Sequence, residues 1–214
     1  LRGSLRQFGD AGIHPNKLML YSEKQYRERD TWNARGSQFQ VVPYWLEETE
    51  ITDWTPVWSH SEKRIKYLPA SLLFYSYPAQ CPRFTSWADS NGCAAGASYE
   101  DAVLQGLFEL VERDSVAIWW YNRVQRPRVD LTALDDPFIS SMQAWFAQMG
   151  REFWVLDLTT DLGIPSYVCL NRRTYGPTED IVMGFGAHLD ARTGILRAIT
   201  EMNQFMPAVL DVGS

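Results

Sequence analysis

Residues 90–114 read SNGCAAGASYEDAVLQGLFELVERD, a loop of small residues that runs directly into a helix. Small residues at the start of a helix leave backbone N–H groups open to an anion, and the helix dipole favours negative charge there. The helix then carries carboxylates that could hold Mg²⁺, which binds through one or two carboxylates plus substrate phosphates. The stretch therefore indicates half of a Mg-nucleotide site. It contains neither the Gly-Lys-Ser/Thr of a P-loop nor a GxGxxG motif.

The helix has a predicted start, a predicted face and a predicted end. Ser98 is the predicted N-cap, and Asp101, three residues later, resembles the partner of a capping box. Apolar and small residues at three- and four-residue spacing predict one buried face, made of Ala102, Val103, Gly106, Leu107, Leu110 and Val111. We expect the helix to end near Arg123, before Pro127.

Three charged residues lie away from the centre of that face, and their spacing supports two interpretations. Glu109 is one turn from both Glu112 and Arg113. The first interpretation is a solvated face, in which a Glu–Arg pair adds a few tenths of a kcal/mol of helix stability. The second is a site for a cation and a nucleotide. Spacing taken alone favours the solvated face.

The order of these residues resembles the central signature of the YcaO family. The matching positions are Ser90-Asn91-Gly92, Ala95-Gly96 and Glu100, followed by the run Glu109-Leu110-Val111-Glu112-Arg113-Asp114. The flanks resemble the azoline-forming branch of that family, in the same order along the chain. They are LMLYSEKQYRERDTWN at 18–33, WTPVWS at 54–59, LDLTTDLGIPSYVC at 156–169 and GFGAHLDARTGILRAITEMNQ at 184–204. The resemblance covers almost the whole chain.

This resemblance implies a chemistry, two cofactors and a set of site residues. YcaO proteins use ATP to phosphorylate a backbone amide oxygen of a peptide, and the azoline-forming members thereby close thiazoline or oxazoline rings. By resemblance, Glu109 and Glu112 hold Mg²⁺. The residues that line the nucleotide are then Ser90, Asn91, Glu100, Arg113, Glu201 and Gln204. The catalytic residues stay unassigned, since phosphoryl transfer needs mainly positioning and charge neutralisation rather than a protein nucleophile.

One departure from the family pattern concerns an earlier motif, a Ser-rich approach to another Glu-x-x-Glu-Arg helix. Residues 26–30 are charged but have neither its spacing nor an apolar stripe. Family members also continue into a C-terminal tail, often Pro-rich, that residues 208–214 do not resemble. We therefore expect residues 1–214 to form a single partial YcaO-like domain, its central and C-terminal part. Whether this part binds ATP by itself is open.

Composition predicts a globular protein. The 214 residues are 45% hydrophobic, and a net charge of −6 argues against nucleic-acid binding, which needs a basic surface. The sequence shows neither a leader peptide nor an apolar run of about 18 residues, so we expect a cytoplasmic protein without a membrane span. Cys81, Cys93 and Cys169 lack zinc-type spacing and are expected to be reduced thiols. Cys93 could be a nucleophile if the family assignment fails.

The apolar pattern predicts an α+β fold with a mostly antiparallel sheet and packed helices. Leu18, Met19 and Leu20 are expected to anchor a helical or irregular N-terminal segment. Strands are predicted at 37–43, 54–58, 65–77, 153–158, 165–170 and 181–185, with the second and third paired. Asp136, before Pro137, and Asp190 are predicted to cap two further helices.

Three functions are consistent with the sequence. The first is an ATP-dependent cyclodehydratase that acts on a ribosomal precursor peptide in the biosynthesis of bacteriocin-like products. The second is thioamide formation, in which an external sulfide attacks the same activated amide. The third is a non-catalytic scaffold that docks the precursor peptide. For the azoline-forming branch the resemblance also implies an E1-like partner protein that binds the leader peptide, and it leaves a homodimer open.

Overall fold

The structure, a computed structural model, describes residues 1–37, 41–77 and 83–210. The chain divides into two compact units, Leu1–Ser90 and Asn91–Ser214. In the described ranges each unit contains one three-stranded antiparallel sheet with helices, which confirms the predicted α+β class. None of the helices in these ranges has the length and apolarity that a membrane span requires.

The sheet of the first unit runs in the order β1 (Arg2–Ser4), β2 (Ile51–Ser59) and β3 (Arg64–Pro69). β2 pairs with β3, which confirms the predicted pairing. The buried Trp54 donates its indole N–H to the Gly3 carbonyl oxygen at 3.0 Å and so fastens β1 to the sheet. Short helices occupy much of the rest of the unit: α1 (Leu5–Phe8), α2 (Asn16–Met19), α3 (Glu23–Arg27), α4 (Arg29–Asn33) and α5 (Ala70–Leu73), with a 3₁₀ turn at Gly9–Ala11.

Several sequence predictions for the first unit are wrong. Leu18 and Leu20 are exposed rather than anchored in a core, whereas Met19 is partly buried. The strand predicted over 65–77 ends at Pro69, because proline has no N–H to continue a ladder, and α5 follows it. Residues 41–43 are irregular, while residues 38–40 of that predicted strand lie outside the described ranges, as does Cys81.

The second unit places helices on a sheet of order β4 (Arg151–Asp157), β5 (Ser166–Arg173) and β6 (Val182–Ala187). Among the described residues, β6 is therefore an edge strand. These strands confirm the three predicted in this region. α6 (Tyr99–Asn122) and α8 (Ala191–Gln204) lie against β5 and β6, and α7 (Pro137–Gln148) lies against β4. A 3₁₀ turn at Leu131–Leu134 and α9 (Pro207–Leu210) complete the described part.

Side-chain caps begin the three long helices as predicted. Ser98 Oγ accepts the Asp101 backbone N–H at 3.2 Å. Asp136 and Asp190 likewise accept backbone N–H groups in the first turns of α7 and α8. α6 ends where predicted, since Arg123 adopts a left-handed conformation with φ of 53°. These local signals are sufficient to set the helix boundaries.

The buried face of α6 differs from the predicted stripe. Gly106 and Val111 are buried as predicted, but Val103, Leu107 and Leu110 are exposed. Phe108, Glu112 and Ser115 are buried instead. The pattern assigned leucines to the core and glutamates to solvent, and this rule fails for Glu112. The helix is therefore rotated so that an acidic side chain faces inward.

α8 approaches β6 closely at two glycines. A Cβ atom added to Gly184 would lie 2.0 Å from the Met202 backbone nitrogen, and one added to Gly186 would lie 2.3 Å from the Gly194 carbonyl oxygen. Backbone atoms cannot move aside as the end of a flexible side chain can, so both positions require glycine. The close approach buries the apolar side of α8, which includes Ile195, Ala198, Ile199 and Met202.

We expect Gly184→Ala to destabilise the protein by about 3 kcal/mol, because the added methyl group forces α8 away from the sheet. Gly163→Ala is the control. It introduces a methyl group at a turn where φ is +69° and where the added atom meets open space within the described ranges. That variant should be less stable than wild type by about 1 kcal/mol because of backbone strain. Urea unfolding monitored by circular dichroism measures both, and equal losses would contradict the close approach.

Candidate active site

Four charged side chains converge beside β6. Glu109, Glu112 and Arg113 belong to α6, and Glu201 belongs to α8; together they are called the acidic cluster. Arg113 Nη2 lies 3.7 Å from Glu109 Oε1 and 3.5 Å from Glu112 Oε1. The Arg113 guanidinium carbon lies 5.9 Å from the centre of the Phe185 ring, which belongs to β6. The cluster therefore has three carboxylates and one arginine.

The edge of β6 supplies two backbone donors to the cluster. The Phe185 N–H donates to Glu201 Oε2 at 3.1 Å. The Ala187 N–H, as a neighbouring donor, lowers the pKa of the Glu112 carboxyl. Because these two residues lie two positions apart on an edge strand, their N–H groups point the same way, away from β5 and past the edge of the sheet. Glu201 thus satisfies a donor that the sheet leaves open.

Burial and like charge raise the pKa of two carboxyls in the cluster. Glu112 is 8% exposed, and burial, followed by the nearby charge of Glu201, raises its pKa to about 7. Arg113 and the Ala187 N–H oppose this rise only in part. Burial also raises the pKa of Glu201, against the effect of the Phe185 N–H. When its three carboxyls are ionised, the cluster carries more negative than positive charge, because Arg113 is its one cation.

The donor set fits a divalent cation that also binds phosphate. A cation would neutralise the excess negative charge, and carboxylate oxygens are suitable ligands for Mg²⁺. Within residues 1–37, 41–77 and 83–210, no group of three or more His, Cys, Asp or Glu side chains is arranged to hold a metal alone. A cation held by Glu109 and Glu112 would therefore complete its coordination with water or phosphate oxygens.

The loop of small residues packs onto the start of α6. A Cβ atom added to Gly96 would lie 2.3 Å from the Ala102 backbone nitrogen, and one added to Gly106 would lie 2.7 Å from the Gly92 carbonyl oxygen. The Asp101 carboxylate accepts the Ala97 N–H at 2.9 Å. The capping-box prediction required the Asp101 side chain to accept the Ser98 backbone N–H. Asp101 accepts the loop N–H of Ala97 instead.

The structure brings together four of the predicted site residues: Glu109, Glu112, Arg113 and Glu201. The solvated-face interpretation is wrong for Glu112, which is buried. The other predicted residues lie outside the acidic cluster and are exposed: Asn91, Glu100 and Gln204 in the second unit, and Ser90 as the last residue of the first. Their roles stay predictions. Cys93 is an exposed free thiol, and Cys169 is a buried one.

Sequence reasoning missed two side chains next to the cluster. Arg197 Nη2 donates to Gln105 Oε1 at 2.7 Å and joins α8 to α6. Arg197 precedes Glu201 by four residues, one helical turn, and this spacing could have linked it to the site. The alternating glycines Gly184 and Gly186 could likewise have signalled a close approach of backbone to β6.

The fold is similar to part of two solved heterocyclases. The chain is similar to a heterocyclase solved in complex with substrate and cofactor, with 44% identity and a TM-score of 0.88 over 96% of this chain and 28% of that chain. It is also similar to the heterocyclase TruD, with 46% identity and a TM-score of 0.86 over 97% of this chain and 30% of that chain. The YcaO protein from Methanopyrus kandleri, solved bound with AMPPCP and Mg²⁺, shows 25% identity and a TM-score of 0.55 over 75% of this chain and 42% of that chain.

The family assignment follows from the sequence as well. Residues 1–213 match the family described as YcaO cyclodehydratase, ATP- and Mg²⁺-binding. The chain belongs to the YcaO family, which confirms the resemblance found in the signature. It spans less than a third of the length of the two heterocyclases, and between 26% and 36% of the curated relatives it matches.

The raised pKa of Glu112 predicts a pH-dependent stability in the absence of divalent ions. Folding raises this pKa from 4.5 to about 7, so the folded protein binds the proton more tightly than the unfolded chain does. The resulting stability is present in full below pH 4.5 and is lost as the pH rises through 7. The free energy of unfolding of Glu112→Gln, taken relative to wild type, should therefore rise by on the order of 3 kcal/mol between pH 4 and pH 8.

Urea unfolding across that pH range in a chelating buffer measures this gain. Glu179→Gln makes the same chemical change at an exposed glutamate of the same unit and serves as the control. Parallel pH profiles for Glu112→Gln and wild type would show that Glu112 titrates normally.

Proposed function

We propose that this chain acts in the ATP-dependent cyclodehydration of a ribosomal precursor peptide. The products are thiazoline or oxazoline rings in bacteriocin-like natural products. Membership in the YcaO family and similarity to a heterocyclase solved with substrate and cofactor support the proposal. The observation that carries it is the acidic cluster, because a half-buried excess of carboxylate suits a cation that carries a polyphosphate.

The proposed roles of the residues follow their chemistry. Glu109 and Glu112 hold Mg²⁺, which supplies charge neutralisation at the phosphates when bound. Arg113 is placed to balance the carboxylates and to donate a planar pair of N–H groups to phosphate. The full proposed nucleotide-binding set is Ser90, Asn91, Glu100, Arg113, Glu201 and Gln204.

The reaction requires little covalent chemistry from the protein. A Cys, Ser or Thr side chain of the substrate attacks the preceding carbonyl carbon, and the oxygen of that carbonyl receives the γ-phosphoryl group. This oxygen leaves as phosphate while a C=N bond forms, so the peptide loses one water equivalent and ATP becomes ADP. The chain's residues orient the reacting groups and hold the phosphate charge.

The proposed assembly follows from the same family. We propose that both units belong to one YcaO domain, since the family match runs across both. The proposed partners are the precursor peptide and an E1-like protein that binds its leader, with a homodimer as a further assembly and the cytoplasm as the location. The net charge of −6 disfavours a nucleic-acid partner.

Calorimetric titration of Mg-ATP tests the site directly. The variant Glu109→Gln/Glu112→Gln should lose binding by at least about a hundredfold, because two neutral amides cannot compensate the charge of the cation. Asp114→Asn changes an exposed acid on the same helix and should bind as wild type does. Equal affinity for wild type and the double variant would show that these glutamates are not the metal ligands.

Mass spectrometry of a treated precursor peptide tests the reaction class. With Mg-ATP and the leader-binding partner, we expect the peptide to lose one water per ring formed, and the loss should stop when ATP is omitted. Exchange of oxygen for sulfur in the presence of sulfide would instead assign thioamide formation. An unchanged peptide, combined with intact Mg-ATP binding, would favour the scaffold interpretation.

A further inference from the structure

A path of hydrogen bonds begins at the loop of small residues and crosses the start of α6. The Ala97 N–H donates to Asp101 Oδ2 at 2.9 Å, and Gln105 Nε2 donates to Asp101 Oδ1 at 3.2 Å. These contacts lower the pKa of the Asp101 carboxyl, first through the Ala97 N–H and then through Gln105, so Asp101 is ionised at neutral pH. One carboxylate therefore joins the loop to the second turn of the helix.

The path continues through α8 to the acidic cluster. Arg197 Nη2 donates to Gln105 Oε1 at 2.7 Å, and Arg197 Nη1 donates to the Ala187 carbonyl oxygen at 3.3 Å. The N–H of the same Ala187 lowers the pKa of the Glu112 carboxyl. The path thus runs from the loop at Ala97 to the β6 residue beside the proposed metal ligand Glu112.

Each member of the path needs its own chemistry. The residue at position 105 must accept from a guanidinium and donate to a carboxylate at the same time, and a glutamine amide does both. The residue at position 197 must reach two acceptors with separate N–H groups, which the arginine fork provides and a lysine ammonium does less well. This match of polarity at every step favours a defined role over incidental surface contacts.

We propose that Gln105 and Arg197 are positioning residues that hold the loop at a fixed position relative to the acidic cluster. The loop and the cluster can then contact the same bound Mg-nucleotide. The inference rests on the proposed function. Neither residue need touch the nucleotide, because both act through Asp101 and Ala187. α8 is already held against β6 by the apolar core and by the close approach at the glycines. Loss of the hydrogen bonds of the path therefore leaves the fold intact.

Gln105→Glu breaks the path at one point. The new carboxylate still accepts from Arg197 but can no longer donate to Asp101, and it faces that residue with a like charge. We expect faster amide exchange at Ala97 by NMR and roughly tenfold weaker binding of Mg-ATP by calorimetry, with the melting temperature little changed. Gln148→Glu makes the same change at an exposed position of α7 and should alter neither readout.

The double variant Asp101→Asn/Gln105→Glu restores the path with reversed polarity and the wild-type net charge. The asparagine amide then donates to the glutamate, and its oxygen still accepts the Ala97 N–H. We expect slow exchange at Ala97 and near-wild-type affinity to return together. A merely structural role for Gln105 would not move the affinity or produce this rescue.

Each alternative outcome overturns the inference for a separate reason. Unchanged exchange at Ala97 in Gln105→Glu would show that the path does not hold the loop. Faster exchange with wild-type affinity would show that the loop does not position the nucleotide, and failed rescue would show that polarity is not what matters. If wild-type protein binds no Mg-ATP, the proposed function fails and the positioning role fails with it, whatever the exchange shows.

Discussion

The close approach of α8 to β6 is the constraint on which the second unit depends. Gly184 and Gly186 remove two side chains from the strand, and backbone therefore meets backbone. Only at this short separation can Glu201 reach the Phe185 N–H and Arg197 reach the Ala187 carbonyl oxygen. A packing feature of the core thus decides where the polar groups of the site lie.

Ionisation of the acidic cluster is unfavourable mainly because its carboxyls are buried. Burial is the first cause of the raised pKa values of Glu112 and Glu201, and like charge adds to it. The surrounding structure offsets part of this cost with backbone N–H groups and the Arg113 guanidinium. The remainder is a local instability that a bound cation would relieve. Such sites are common where function, rather than stability, selects the residues.

Sequence reasoning predicted the features that depend on local chemistry. Caps at Ser98, Asp136 and Asp190 act within one turn of their own helix, so the pattern of residue types suffices to find them. Which face of α6 is buried depends instead on the sheet against which it packs. The buried Glu112 is an exception to the rule that buried helix positions are apolar. The contact between Gln105 and Arg197 joins residues 92 positions apart, and no periodicity encodes it. The signature led us to predict a site at Glu109 and Glu112, because the family resemblance carried information that spacing lacked.

The edge of β6 has a consequence for how this protein behaves at high concentration. An open strand edge is a template on which another chain can add a strand, and growth of that kind leads to aggregation. Here the Phe185 N–H is already engaged by Glu201, and the charges of Glu201 and Glu112 would repel an incoming strand. The carboxylates of the acidic cluster thus also oppose the addition of a strand at this edge.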